Sequence, residues 1–208
     1  FNGSVYYDVL PPDETGPFAF SIQSNGDDRL YRINLHTGFA TPLGDPMGFG
    51  DAEGLAYGPG DTLYAVGGYI DQLWNVTSPP GALIGSTGSR DGADAGLDYY
   101  NGHLYNVNST GPASTLYRIN PDTGVANHVG TGNYFLDGLA IRSDGVTFAT
   151  DFIHTDSLYQ INLNTGSAAL VGSLGIGDVN DMSGLAFIGS TLYAITSAGH
   201  LYTIDTTT

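Results

Sequence analysis

The stretch Leu116-Tyr117-Arg118-Ile119-Asn120 decides the fold, because close variants of it recur along the chain. Its copies begin at Leu30, Leu73, Leu158 and Leu201, so that successive copies are 43, 43, 42 and 43 residues apart. Self-similarity at a fixed period of this length indicates a repeat protein, in which each repeat is one small structural unit.

Three further features keep the same period. A Thr-Gly turn follows the repeat strand, a short strand ending in Gly comes next, and a Gly-Leu strand precedes a strand of the Leu-Tyr-Ala type. The turns are Thr37-Gly38, Thr123-Gly124 and Thr165-Gly166; the strand ends are Leu43-Gly44, Ile84-Gly85, Val129-Gly130 and Val171-Gly172; the Gly-Leu pairs are Gly54-Leu55, Gly96-Leu97, Gly138-Leu139 and Gly184-Leu185. Each unit therefore contains four short strands bounded by turn residues, and none has room for a helix.

Four strands per repeat of about 43 residues predict an all-β fold, a five-bladed β-propeller with four-stranded blades. The cycle resembles secreted bacterial β-propellers of the NHL and YVTN short-repeat type, and the resemblance covers nearly the whole chain. It implies that Gly-Leu-Ala forms the innermost strand of a blade and that the Val-Gly strand is outermost. It implies nothing about activity, because propellers carry many unrelated functions.

The strand count leaves one composite blade a strand short. The innermost and outermost types each occur four times, whereas the other two occur five times once Phe18–Ile22 is counted as a second strand. The segment Val5-Tyr6-Tyr7-Asp8-Val9-Leu10 has the length of one strand, so it can supply either missing type but not both. We therefore divide the chain into residues 1–17, an N-terminal strand with a proline-rich linker, and residues 18–208, the propeller domain.

Two placements of Val5–Leu10 stay open. In the first, the segment closes the ring of its own chain, which hides free strand edges. In the second, it adds a strand to the last blade of a neighbouring copy. Pro11-Pro12 would stiffen the exit, and a head-to-tail contact that does not close on itself builds filaments. The predicted acceptor edge consists of Leu201, Tyr202, Thr203, Ile204 and Asp205.

Acidic residues precede the Gly-Leu pairs and would gather at one mouth of the central channel. Converging carboxylate oxygens suit Ca²⁺, which is the one cofactor that the sequence suggests. The alternative is that each carboxylate caps the turn entering its strand, a local role repeated because the blade repeats. The residues are Asp51, Glu53, Asp94, Asp137 and Asp181.

The aromatic residue of the repeat strand allows two interpretations as well. Five equivalent rings could stack on sugars, or they could fill the space between adjacent twisted sheets. The residues are Tyr31, Trp74, Tyr117, Tyr159 and Tyr202. Asn2, Asn75 and Asn108 begin Asn-x-Ser/Thr sequons and are possible N-glycosylation sites.

No residue is predicted to be catalytic. The five His residues fall at unlike positions of the repeat, without zinc-ligand spacing, and no Gly-x-Ser-x-Gly motif occurs. A glycosidase would need a second carboxylate within reach of an acid, and only Glu53 with one of the channel Asp residues could supply that pair.

Composition excludes further classes. The 208 residues include 21 Asp and Glu against five Arg, with no Lys, and the net charge of −16 repels nucleic acids and anionic lipids. No apolar run approaches the ~18 residues of a membrane span. Cys is absent, so there is no disulfide and no thiolate site. Because the first residue is Phe, we expect a processed protein that is extracellular or at the cell surface.

The sequence therefore predicts a non-enzymatic structural or adhesive propeller that associates with itself, as a homo-oligomer or as a filament built by N-terminal strand exchange. The first alternative is a carbohydrate- or ligand-binding propeller, and the second is a hydrolase with its site in the channel.

The net charge of −16 predicts a salt-dependent stability. Repulsion is screened as the Debye length shortens, so the melting temperature should rise between about 10 mM and about 500 mM NaCl. Added Ca²⁺ at matched ionic strength should raise it further if the acidic ring binds the ion. An unchanged melting temperature across the salt series would remove surface repulsion as a significant term.

Overall fold

The fold is seen in a computed structural model that describes residues 16–23, 28–68, 70–89, 95–110, 113–151, 157–176 and 182–207. In this part of the chain every regular element is a strand except one 3₁₀ turn at Pro59–Asp61. No described helix is long and apolar enough to cross a membrane.

The strands form five separate antiparallel sheets, and each sheet is one blade. The first blade contains β1 (Phe18–Ile22), β2 (Leu30–Asn34) and β3 (Ala40–Leu43). The second contains β4 (Ala52–Tyr57), β5 (Leu63–Gly67), β6 (Gln72–Asn75) and β7 (Ala82–Ser86). The third contains β8 (Ala95–Tyr100), β9 (His103–Thr110), β10 (Ala113–Ile119) and β11 (Ala126–Gly132). The fourth contains β12 (Leu136–Ile141), β13 (Thr147–Asp151), β14 (Ser157–Ile161) and β15 (Ala168–Ser173). The fifth contains β16 (Met182–Ile188), β17 (Thr191–Thr196) and β18 (Leu201–Ile204).

The predicted five-bladed, all-β propeller is confirmed. In the second, third and fourth blades the four strands pair in chain order, so each of these blades comes from one sequence repeat. Among the described residues the first blade lacks an innermost strand and the fifth lacks an outermost strand. A single additional strand cannot complete both, so the predicted strand-short blade is confirmed too. The terminal strands build two separate sheets here, and Val5–Leu10 lies outside the described residues.

The leucine that opens each repeat strand forms the core between blades. In the first four blades these leucines are at most 2% exposed; they are Leu30, Leu73, Leu116 and Leu158. The fifth, Leu201, is only half-buried, because it faces the cavity that also lies against β1 of the first blade. The repeat therefore predicts the burial of this leucine correctly in four of the five blades.

The aromatic residue that follows this leucine is half-buried in all five blades. Trp74 stacks on Phe49 with ring centroids 4.7 Å apart, and both pack against the cluster around Leu63 and Val76. This environment favours the space-filling interpretation of Trp74 over a sugar-binding platform.

The turn between the third and fourth strands of a blade depends on the Asn that ends the repeat strand. The Asn34 Oδ1 atom accepts the N–H groups of His36 and Thr37, at 2.9 and 3.1 Å. Asn120 makes both equivalent bonds, whereas Asn162 Oδ1 accepts the Asn164 N–H and the Asn162 carbonyl accepts the Thr165 N–H. The Gly that follows each turn has a φ of +71° to +77°. An Asx turn followed by a left-handed Gly therefore reverses the chain in each of these blades.

Glycines allow neighbouring blades to touch through their backbones. A methyl group on Gly96 in β8 would overlap the carbonyl oxygen of Asp137 and lie 2.6 Å from the Leu139 nitrogen in β12. A methyl on Gly130 would overlap the carbonyl of Thr165 in the same way, at the outer end of the same pair of blades. Gly96 and Gly130, which belong to the repeat, are therefore required at the junction between the third and fourth blades, as other glycines are in turns.

Gly96→Ala tests this junction. Because the added methyl meets backbone rather than a movable side chain, the free energy of unfolding should fall by about 1–3 kcal/mol. Gly38→Ala is the control, since its methyl would have no atom within 4 Å and only the positive φ would cost stability, on the order of 1 kcal/mol. Urea denaturation of both variants measures the difference. Equal losses would show that close approach is not what fixes Gly96.

Candidate functional site

The centre of the ring contains a cavity of about 820 Å³. The second, third and fourth blades line it mainly with their innermost strands, whereas the first blade lines it with all five residues of β1. The fifth blade lines it with its innermost strand β16 and also with Tyr193, Ala194, Ile195 and Leu201 from its second and third strands. The cavity therefore extends from the channel into the gap between the fifth and first blades, where an innermost strand of the first blade would lie.

Burial indicates that the part of the chain that the structure describes leaves a strand position open at this gap. In the complete second and fourth blades, every residue of the second strands β5 and β13 is buried. Every residue of β1, which occupies the same place in the first blade, is only half-buried. The Phe20 ring stacks on Tyr57 of the second blade, with ring centroids 6.0 Å apart. The Arg32 guanidinium lies 4.6 Å from the centre of the Phe18 ring.

The second open position among the described residues is the outer edge of β18. The predicted acceptor residues Leu201 to Ile204 form this strand, and Asp205 follows it. The Asp205 Oδ1 atom accepts the N–H of Thr207 at 2.8 Å, which is the Asx turn that leads to an outermost strand in other blades. No strand pairs with this edge among the described residues, and a small cavity of about 190 Å³ lies beside it. Gly124 and Gly166 touch the outer strand of the preceding blade. Their counterpart in the first blade, Gly38, has no atom within 4 Å of the place where a Cβ would lie.

The acidic ring predicted at the channel mouth is only partly described. Glu53 lines the central cavity, and the carbonyl oxygen of Asp51 accepts the N–H of Gly68 at 3.1 Å. Asp137 lies in β12 at the junction with Gly96, while Asp94 and Asp181 lie outside the described residues. The described acidic and His residues form no group of three that could hold a metal ion. The Ca²⁺ ring stays a prediction.

The sequons differ in exposure. Asn108 lies within β9 and is 4% exposed, and Asn75 is half-buried with its Oδ1 accepting the Thr77 N–H at 3.0 Å. A glycan at Asn108 would require β9 to open, whereas Asn75 lies at a turn. Asn2 lies outside the described residues.

Asp98 is the cavity residue that sequence analysis missed. It occupies the place that Ala takes in the other Gly-Leu-Ala strands. The sequence feature that could have identified it is the one repeat copy that reads Gly96-Leu97-Asp98. Its Oδ1 atom accepts its neighbour Tyr99 N–H at 2.7 Å, and its Oδ2 atom accepts the Ile141 N–H of β12 at 2.6 Å. The carboxyl group therefore joins the innermost strands of the third and fourth blades.

Burial raises the pKa of Asp98 from 3.8 to about 6, against the opposing effect of its two backbone hydrogen bonds. A carboxyl with a raised pKa in a cavity has the property of a general acid. Both of its oxygens are already engaged in the backbone contacts that hold two blades together, which favours a structural role.

No family profile matches the sequence, and no curated protein matches it either. Among solved structures, a chain of a nidogen–laminin complex is similar with a TM-score of 0.61 and 15% identity, covering 86% of this chain and 68% of that one. A Bacteroides thetaiotaomicron protein of unknown function has a TM-score of 0.61 and 19% identity, covering 88% of this chain and 55% of its own. Glutaminyl cyclase of Myxococcus xanthus has a TM-score of 0.54 and 21% identity, covering 85% of this chain and 88% of its own.

These likenesses show the fold and confirm the fold-level resemblance to NHL- and YVTN-type propellers. The neighbours include a component of a protein–protein complex as well as an enzyme. This chain spans about half the length of the Bacteroides protein.

Asp98 predicts a pH dependence of stability. Its pKa is about 6 in the folded protein and about 3.8 when unfolded, so the folded state holds the proton more tightly. The free energy of unfolding should therefore fall as the pH rises from about 4 to about 6, by at most ~3 kcal/mol, and stay lower above that window.

Asp98→Asn should remove this dependence of the free energy of unfolding on pH, and it also removes one backbone hydrogen bond. Chemical denaturation at a series of pH values measures the effect. Asp144→Asn is the control, because Arg142 lowers the pKa of Asp144 and places its titration below the window. A slope that survives Asp98→Asn would assign the titration to another group.

Proposed function

We propose that this chain is a non-enzymatic extracellular propeller whose copies join head to tail, each donating the strand Val5–Leu10 to its neighbour. The observation that carries the proposal is that two strand positions are open among the described residues, at the inner edge of β1 and at the outer edge of β18. Both belong to the blades at the ends of the chain, so the propeller is incomplete where a strand can be added.

The linker supports donation over closure within the chain. The other connections from an innermost to a second strand contain two or five residues, as at 101–102 and 142–146. A hairpin from Leu10 back to Phe18 would use seven residues, three of which are proline. Pro11-Pro12 favours an extended, semi-rigid polyproline conformation, which suits a segment that leaves its own blade better than one that turns back on it.

Strand addition provides enough free energy for a stable contact. Six paired residues make on the order of five main-chain hydrogen bonds at ~1 kcal/mol each. Burial of Val5, Tyr7 and Val9 adds ~1.5–3 kcal/mol per side chain. The sum exceeds the ordering cost of a flexible arm.

A ligand-binding propeller is the second candidate, and the central cavity favours it. Its volume of about 820 Å³ lies within the ~300–1,000 Å³ range of small-molecule sites. A mainly apolar wall that includes Glu53 suits a ligand that carries an apolar body and a cationic group. Under this function the monomer binds the ligand and does not need residues 1–10.

Deletion of residues 1–10 tests the assembly. Wild-type protein should form oligomers or filaments in light scattering and negative-stain images, and the deletion variant should be a folded monomer by circular dichroism. Deletion of residues 1–3 is the matched control, since it shortens the same terminus but leaves Val5–Leu10 intact. The control should assemble like the wild type.

Closure within the chain predicts the opposite pattern. The wild type would then be monomeric, and the deletion of residues 1–10 would lower the free energy of unfolding by several kcal/mol, on the order expected for burying three apolar side chains. That result would overturn head-to-tail assembly.

A further inference from the structure

We infer that the donated strand enters the inner slot, which we define as the gap bounded by β1, β4 and the fifth blade, rather than the outer edge of β18. This inference rests on the proposed function, because it names the surface of the neighbour that receives Val5–Leu10. The inner slot and the outer edge differ in hydrogen-bonding groups, in burial and in the residues that each position accepts.

Along the cavity, no described strand pairs with the edge of β1 that faces away from β2. The Gln23 N–H donates to the Arg29 carbonyl at 2.9 Å, and the Leu35 N–H donates to the Pro17 carbonyl at 3.0 Å. Since hydrogen-bonded positions alternate along an antiparallel pair, the main-chain groups of Phe18, Phe20 and Ile22 point away from β2. All five residues of β1 line the cavity, so these groups are available to an added strand.

Innermost strands are more buried than outermost strands. Five of the six residues of β12 and three of the six of β4 are buried. No residue of the outermost strands β3, β7, β11 and β15 is buried. A strand received in the inner slot therefore removes far more apolar surface from water than one added beside β18, and it binds more tightly.

The donor has the composition of an innermost strand. Val5–Leu10 contains two adjacent Tyr and one Asp, and the innermost strand β8 contains the same residue types in Asp98-Tyr99-Tyr100. The outermost strands contain neither Tyr nor an acidic residue. Both faces of the donor are mainly apolar, as burial between two blades requires.

The contacts between innermost strands explain what the added strand completes. β4, β8, β12 and β16 touch in succession around the channel, and the Asp98–Ile141 hydrogen bond belongs to this ring. Between β16 and β4 the ring is interrupted by the cavity. A fifth innermost strand would close it.

Cross-linking between differently tagged copies distinguishes the two surfaces, because the chain has no Cys of its own. The donor copy carries Tyr7→Cys or Asp8→Cys, one on each face of the strand. The acceptor copy carries Tyr57→Cys or Ile195→Cys in the inner slot, or Thr203→Cys at the outer edge. Leu170→Cys, on the exposed outermost strand of the fourth blade, gives the background. The copies are mixed, allowed to assemble and treated with a short bismaleimide.

We expect cross-linked pairs of copies with Tyr57→Cys and Ile195→Cys, at several times the yield with Thr203→Cys or Leu170→Cys. The Ile195 arm is independent of the Phe20–Tyr57 contact, so loss of that stacking does not decide the outcome. Cross-links between copies only at Thr203→Cys would overturn the inner slot and leave strand donation standing. Cross-links only within one chain, seen in a monomeric variant that carries both cysteines, would overturn strand donation and the inner slot together.

A proline substitution gives a second arm. The Thr196 N–H donates to the His200 carbonyl at 3.0 Å, so by alternation the Thr203 N–H points to the outer edge. Thr203→Pro removes that donor without breaking the pairing with β17, and Thr203→Val is its control. Both variants should assemble like the wild type; loss of assembly in Thr203→Pro alone would place the donated strand at β18.

Discussion

Direct contact between the backbones of adjacent blades is the constraint on which this propeller is built. At Gly96 and Gly130 the next blade lies so close that a single methyl group would overlap its carbonyl oxygens. Since no side chain separates the strands there, the distance and the angle between blades are set by the backbone itself. The bulkier Leu and aromatic side chains of the repeat strand then fill the wider space between those contacts.

This constraint makes the innermost strands a chain of mutual supports. From β4 to β16 each innermost strand contacts that of the following blade, and Asp98 adds a carboxyl group to one of these contacts. Among the described residues, the open position between β16 and β4 therefore affects two blades at once. It leaves β1 half-buried and uncovers the face of the fifth blade at Tyr193 and Ile195.

The repeat allowed much of this architecture to be predicted from the sequence. The spacing of Leu-Tyr-Arg-Ile-Asn predicted the blades, because each copy must bury the same face against the same kind of neighbour. The predicted Thr-Gly turn was correct, but its Asx hydrogen bonds come from the preceding Asn34 and its equivalents, which period counting treated as the end of a strand. The strand count predicted an incomplete blade because every strand type has a definite place in the repeat.

What could not be predicted depends on single residues that depart from the repeat. Asp98 stands at a position occupied elsewhere by Ala, and period analysis averages such exceptions away. Its effect depends on a contact with Ile141 of another blade, a distance of 43 residues along the chain. The acidic residues predicted for the channel mouth lie one to three residues before the Gly of each pair, and whether their carboxylates converge depends on side-chain directions that the repeat does not specify.

The junction glycines also bear on how a protein of this kind changes its number of blades. At the outer ends of the blades, Gly85 and Gly130 meet the backbone of the next blade in the same way, so one more unit of about 43 residues that carries this glycine could make the same contact on both of its sides. These outer contacts therefore do not fix whether the ring has five blades or six. The number of blades is decided at the gap between the fifth and first blades. An additional repeat would be tolerated only if the first and last blades could still meet across that gap.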